Sequence, residues 1–203
     1  MPEETTHRSQ IPLFDELVGE RVVVRPYRPE DAEQHYAAVE ESRAHIAPWL
    51  PWVGGYASVE DSRDYIARVR AHWLLREDMG LGIFDRATGR YLGGTGLHPR
   101  NWDVGVFEIG YWLRASAEGH GYMSEAVRLL TDFALDMLGA ERVFIRCDAR
   151  NMRSANVARR LGFVQEAHLR NELRAPDGSL RDTLVFARIP SDPRDWKPAE
   201  HET

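Results

Sequence analysis

Glu108-Ile109-Gly110-Tyr111-Trp112-Leu113-Arg114 runs, after Ala115-Ser116-Ala117, into Glu118-Gly119-His120-Gly121-Tyr122-Met123-Ser124-Glu125-Ala126. The first part reads as a strand. The second is a glycine-rich turn opening a helix, because Met123, Val127, Leu130, Phe133, Ala134 and Met137 then fall on one helical face and Gly139 stops it. The first backbone N–H groups of a helix have no partner inside it, and the helix dipole is positive there. Glycines let a ligand approach that backbone. The combination suits an anion such as a pyrophosphate, although Gly-x-Gly alone is a weak signal and an ordinary turn is the alternative. No Gly-Lys-Ser/Thr follows, so this is not a P-loop. Ser124 stands where a dinucleotide fingerprint needs its third glycine.

On either side, period and punctuation give the remaining elements. Arg21–Arg25 is a β-branched strand ending at Pro26, and Pro29-Glu30-Asp31 opens a helix expected to reach about Glu41. Residues 47–56 form a loop dense in Trp and Pro. Ser58-Val59-Glu60-Asp61 has the form of a capping box. Strands are expected over 80–85, 90–98 and 106–113, the last two joined by a turn at Arg100-Asn101-Trp102-Asp103. Strand 142–148 follows the long helix. A short helix is then expected over 154–161, closed by Gly162, and two strands over 163–173 and 183–188, joined by Pro176-Asp177-Gly178. Arg150, Arg153, Arg159 and Arg160 cluster with no acid among them, which suits a polyphosphate ligand. The fold class is α/β (mixed α+β): antiparallel hairpins, and one parallel crossover over 106–148.

The chain has 203 residues, which fits one domain: a polar arm over 1–12, the domain over 13–189 and a Pro-rich charged tail over 190–203, in which Trp196 is expected to dock on the body. With 26 basic against 32 acidic residues the net charge is −6, which argues against nucleic-acid partners. One cysteine, Cys147, excludes an internal disulfide and a Cys-based zinc site, and no metal is expected. No run of about 18 apolar residues suggests a membrane partner. With no apolar leader at the start, the expected location is cytoplasmic.

The chain resembles the GNAT N-acetyltransferases, and within them the RimJ/RimL type, which acetylate ribosomal-protein N-termini. Over about residues 13–189 the matching pieces are Val22-Val23-Val24-Arg25-Pro26, Trp49-Leu50-Pro51-Trp52, Glu108–Leu113, Gly119-His120-Gly121-Tyr122 and Asn151-Met152-Arg153-Ser154 closing with Leu161-Gly162-Phe163. The resemblance implies a central mixed, mostly antiparallel sheet with a strand splay at an acetyl-CoA site. It implies acetyl-CoA as donor, a peptide or protein N-terminal amine as acceptor, and a homodimer. The family's Gln/Arg-x-x-Gly-x-Gly/Ala loop, which binds the pyrophosphate, maps onto Glu118–Met123; Glu118 and Met123 depart from it. Tyr111, Trp112 and Leu113 would hold the pantetheine arm, and Asn151 and Ser154 match positions facing the arm and thioester. Tyr122, Ser124 and Asn156 join the donor site.

Acetyl transfer to an amine needs a base, an oxyanion donor and a leaving thiol. Glu108 is the candidate base, expected to lie near Phe107, Ile109 and Trp112; its bland alternative is an edge-strand carboxylate paired with an arginine. Ser154 is the candidate acid for the departing sulfur, or else a helix N-cap. The oxyanion donor is most simply a backbone N–H of Tyr111–Leu113. His45, Trp49, Trp52 and Tyr56 are the expected acceptor wall, with His98 and Arg100 behind them in rank. Cys147 reads as a structural thiol. A small amine (an antibiotic or aminoacyl conjugate) as acceptor, or a CoA-binding module without turnover, are the competing readings; the two loop departures motivate the second.

Overall fold

In the computed structural model, which describes residues 13–175 and 177–194, eight strands share one sheet. They are β1 (Leu17–Val18), β2 (Val22–Arg25), β3 (Met79–Asp85), β4 (Tyr91–Asn101), β5 (Val106–Leu113), β6 (Arg142–Asp148), β7 (Val164–Arg174) and β8 (Leu180–Arg188). The helices are α1 (Ala32–Ile46), α2 (Val59–Leu75), α3 (Tyr122–Asp132) and α4 (Met152–Arg160). The spatial order is β1-β2-β3-β4-β5-β6-β8-β7. Every neighbouring pair is antiparallel except β5 and β6.

That parallel pair makes the site. β5 and β6 run together only at Val106↔Arg142, Phe107↔Val143 and Glu108↔Phe144. Beyond Glu108 they separate, while β4 goes on pairing with β5 as far as Leu113, and β8 with β6 as far as Asp148. The splay leaves the β6-facing edge of Gly110–Leu113 without a strand partner. Side-chain alternation turns Phe107, Ile109, Tyr111 and Leu113 toward the core under α3 and α4, and Trp112 toward the second core under α1 and α2.

Several boundaries differ from the sequence reading. α1 continues to Ile46, not Glu41, because Ser42 and Ile46 are buried and Ser42 Oγ accepts the Ala115 N–H at 3.0 Å. Residues Pro51–Gly55, expected as loop, form a 3-10 turn. β4 extends through Asn101, so the turn comes later. α4 begins at Met152 with Asn151 as its cap, its Oδ1 accepting the Ser154 N–H at 3.1 Å; Ser154 is not the cap. Met137 is 62% exposed, off the expected apolar face. There α3 passes into a π-turn over Phe133–Met137, closed by Leu138 N–H to Phe133 C=O at 3.2 Å, and the looser winding buries Leu135 instead. The capping box at Ser58 and Asp61 forms as expected. The arm at 1–12, Pro176 and Trp196 lie outside the described residues. The described start of the tail folds back, with Arg194 pairing to Asp136 at 2.6 Å.

Candidate active site

At the splay a cleft of about 1510 Å³ passes through the sheet. That exceeds the roughly 300–1,000 Å³ of an ordinary small-molecule pocket. One end is the loop before α3. Gly119 (φ 80°) and Gly121 (φ 76°) both hold left-handed backbone, which only glycine adopts without strain. A Cβ on Gly121 would also lie 3.0 Å from the Arg21 guanidinium. Gly121 caps α3, so the N–H groups of Tyr122, Met123 and Ser124 open the helix. Arg21 braces this end: its Nη1 donates to His120 C=O at 2.8 Å, and Glu125, buried in the first turn of α3, accepts from its N–H and its Nε, each at 2.9 Å.

Both loop departures have a local explanation. Met123 is mostly buried in the core under α3 and reaches the cleft only with its small exposed part. Glu118 reaches sideways: Oε1 meets His45 Nε2 at 2.5 Å, and Oε2 meets Arg153 Nη1 at 3.0 Å. Its charge is therefore engaged by a cation where it would otherwise oppose a bound anion. His120 turns back on the loop, Nδ1 at 2.7 Å from Glu118 C=O, and stacks on Tyr122. Of the arginine cluster, Arg153 and Arg160 line the cleft, and Arg160 approaches Ser124 Oγ at 3.4 Å. Arg150 pairs instead with Asp148 at 2.7 Å, and Arg159 lies over the Phe186 ring.

Along the α3/α4 side the cleft is walled by Tyr111, Leu113, Cys147, Asn151, Ser154 and Asn156. Ser154 Oγ donates to Tyr111 Oη, which donates to Ser154 C=O, each at 3.1 Å. Burial pushes the Cys147 thiol up, as suits a structural thiol; the Ser154 hydroxyl partly counters it. On the opposite side stand Glu108, Trp112, His45, Trp49, Arg146 and Asp148. Glu108 is only 17% exposed and meets Arg100 at 2.7 Å. Phe107 and Ile109, expected beside it, lie on the other face of the strand. Its neighbours are Arg100 and, along β5, Gly110 and Trp112.

The expected acceptor wall is divided. His45 and Trp49 line the cleft. Trp52 packs edge-on against Trp112 at 5.8 Å, outside the lining residues. Tyr56 belongs to a buried cluster behind them with Tyr27, Tyr65, Tyr91 and His35. Burial raises the Tyr56 hydroxyl well above its usual range. His35 is 1% exposed, with Nδ1 at 2.9 Å from Ser62 Oγ and its ring against Trp112. Burial lowers it to about 4, Asp31 opposing. Sequence reasoning missed Arg21, Arg146 and Arg181, which reach the cleft from strands or loops distant in the chain and carry no local signal.

Among the described residues no group of three His, Cys, Asp or Glu side chains could hold a metal, and no helix is long and apolar enough to cross a membrane.

Comparison with known proteins bears on the family and the fold. Residues 21–164 match the model of the acetyltransferase (GNAT) domain. The ribosomal-protein-serine acetyltransferase of Escherichia coli (strain K12) is 35% identical over 173 residues, spanning 78% of this chain and 89% of that one. The structure of RimL, a ribosomal L7/L12 alpha-N-protein acetyltransferase in complex with coenzyme A, superposes with a TM-score of 0.80 at 22% identity, over 86% of this chain and 97% of that one. The microcin C7 self-immunity acetyltransferase MccE, in complex with acetyl-CoA and AMP, gives 0.78 at 19% identity, over 84% and 93%.

Proposed function

The chain belongs to the acetyltransferase (GNAT) family, and from that premise we propose that it transfers the acetyl group of acetyl-CoA to a primary amine, a peptide or protein N-terminus. The observation that carries this is the cleft itself, which joins a helix-start anion site to a carboxylate through the gap between β5 and β6. The pyrophosphate meets the amides of Gly119–Ser124, with Arg160 beside them. The pantetheine arm runs along Tyr111–Leu113, against Asn151, Ser154 and Asn156. When bound, acetyl-CoA supplies a thioester carbonyl, and an unpaired β5 amide is the donor to its oxygen.

The acceptor enters from the α1/α2 side, past His45 and Trp49, with Trp52 and Tyr56 supporting Trp112 from behind. Glu108 is the carboxylate base, acting through a water. Ser154 protonates the departing sulfur, its hydroxyl turning from Tyr111 Oη to do so. The relative in Escherichia coli, named for a ribosomal-protein serine, supports a protein acceptor.

Calorimetry with acetyl-CoA, alongside thiol release with free-amine peptides and small amines, tests this. Wild type is expected to bind and turn over peptides. Glu108→Gln should bind equally and lose about 10²–10⁴ in rate, the usual worth of acid–base help. Turnover with small amines alone would change the acceptor class. Binding without turnover in any well would make the protein a CoA-binding module.

A further inference from the structure

Two protons must leave the nitrogen when an ammonium becomes an amide, and Glu108 accounts for one acceptor. A second, partly exposed group stands beside Glu108, although it is not among the residues lining the cleft. His98 on β4 lies directly across from Glu108 in the β4–β5 register, so the two side chains share the α1/α2 face about 5 Å apart at Cβ. Its Nδ1 meets Asp78 Oδ1 at 2.5 Å, and that oxygen also accepts the Met79 N–H at 3.1 Å, which fixes the carboxylate. With Asp78 accepting from Nδ1–H, Nε2 is the nitrogen that offers a lone pair in the neutral imidazole. Nε2 has no hydrogen-bond partner among the described residues.

The sheet is cleared for this ring. Gly96 and Gly110 are cross-strand partners, and a Cβ on either would lie 2.7 Å and 3.2 Å from Nε2. The next pair along, Gly94 and Trp112, brings the Trp112 indole over Gly94. The imidazole therefore lies over a glycine floor between Glu108 and Trp112, one residue from the Tyr111–Leu113 segment. Burial raises the Asp78 carboxyl, but His98, the Met79 N–H and His72 together outweigh it and hold the carboxyl below its usual range. The other charged or titratable groups around the ring are Tyr65 and His72 of α2, behind Asp78, and Glu108 with Arg100.

We propose that His98, oriented by Asp78, is the second proton acceptor of the acetyl transfer. This deepens the reading above and rests on it. Nε2 takes the first proton from the acceptor ammonium, directly or through one water. The neutral nitrogen then attacks the thioester carbon, forming the C–N bond as the C–S bond breaks. Glu108 takes the second proton from the nitrogen. One proton ends on the CoA sulfur and the other in solvent. Asp78 is a positioning residue.

The test compares two acceptors: a peptide amine, protonated at neutral pH, and methoxyamine, which is already neutral and needs only one proton acceptor. His98→Gln is expected to lower kcat/KM for the peptide about 100-fold, to leave methoxyamine within about threefold, and to keep acetyl-CoA affinity by calorimetry. Asp78→Asn should show a smaller loss of the same kind. Methoxyamine turnover reports that each variant is folded. Equal loss with both acceptors would reduce His98 to packing, and no loss with either would remove it from the reaction; each overturns the proposal. A wild type that binds no acetyl-CoA would overturn the acetyl-transfer reading beneath it as well.

Discussion

Lowering the pH should weaken the wall behind the cleft through one side chain, His35. Its imidazole is held neutral by burial, with a folded value of about 4 against the ordinary 6.5. The unfolded chain therefore binds a proton between those values that the folded chain refuses. Stability from this group is fully present above pH ~6.5 and falls as pH drops toward ~4. One pKa unit is about 1.4 kcal/mol, so the loss is about 2 kcal/mol by pH ~5 and about 3 kcal/mol by pH ~4. Urea unfolding of wild type and His35→Gln near pH ~7.5 and pH ~5 isolates it, because other titrating groups cancel in the difference. The advantage of wild type over the variant should shrink by about 2 kcal/mol at the lower pH. Two proteins whose stabilities fall in parallel would refute the reasoning. His35 stacks on Tyr65 at 5.2 Å and sits edge-on to Trp112 at 6.0 Å, but the folded imidazole stays neutral until pH ~4, so acceptor KM should not change through His35 above that pH.

Two further expectations follow from the donor end. Gly121→Ala forces a side chain into left-handed backbone, at about 1–2 kcal/mol, and against Arg21; calorimetry should show acetyl-CoA binding at least about tenfold weaker, and unchanged affinity would mean that the loop does not hold the ligand. Glu118→Gln frees Arg153 from its carboxylate, so acetyl-CoA affinity should rise and its salt dependence steepen; a weaker affinity would show that the link to His45 and Arg153 builds the site.

Much of this was legible in order along the chain. The strand at 106–113, the glycine turn and the amphipathic helix are local features, set by period and backbone freedom, and they stand where the sequence placed them. Boundaries moved where burial outweighed local preference, as at Ser42 and Ile46, or where winding changed, as at the π-turn that exposes Met137. The site divides in the same way. The backbone cradle of Gly119 and Gly121 follows from residue type alone, since glycine is what a left-handed turn at a helix start requires. Polar partners did not, because a charge shows its partner only in three dimensions.

Glu118 reads from sequence as an anion facing an anion site; only the approach of α1 and α4 shows its charge taken up by His45 and Arg153. Trp52 and Tyr56 stand in an aromatic loop like Trp49, yet packing sends them behind Trp112. His98 is one residue in a strand until the β4–β5 register sets it opposite Glu108 and the end of α2 brings Asp78 to its ring. The sequence by itself determined the element order and the helix-start loop, because periodicity and glycine conformation act over a few residues. Which charges are met, which aromatics face the cleft and which imidazole meets a carboxylate were decided by the tertiary structure, because those depend on contacts between residues as far as 20 and 73 positions apart.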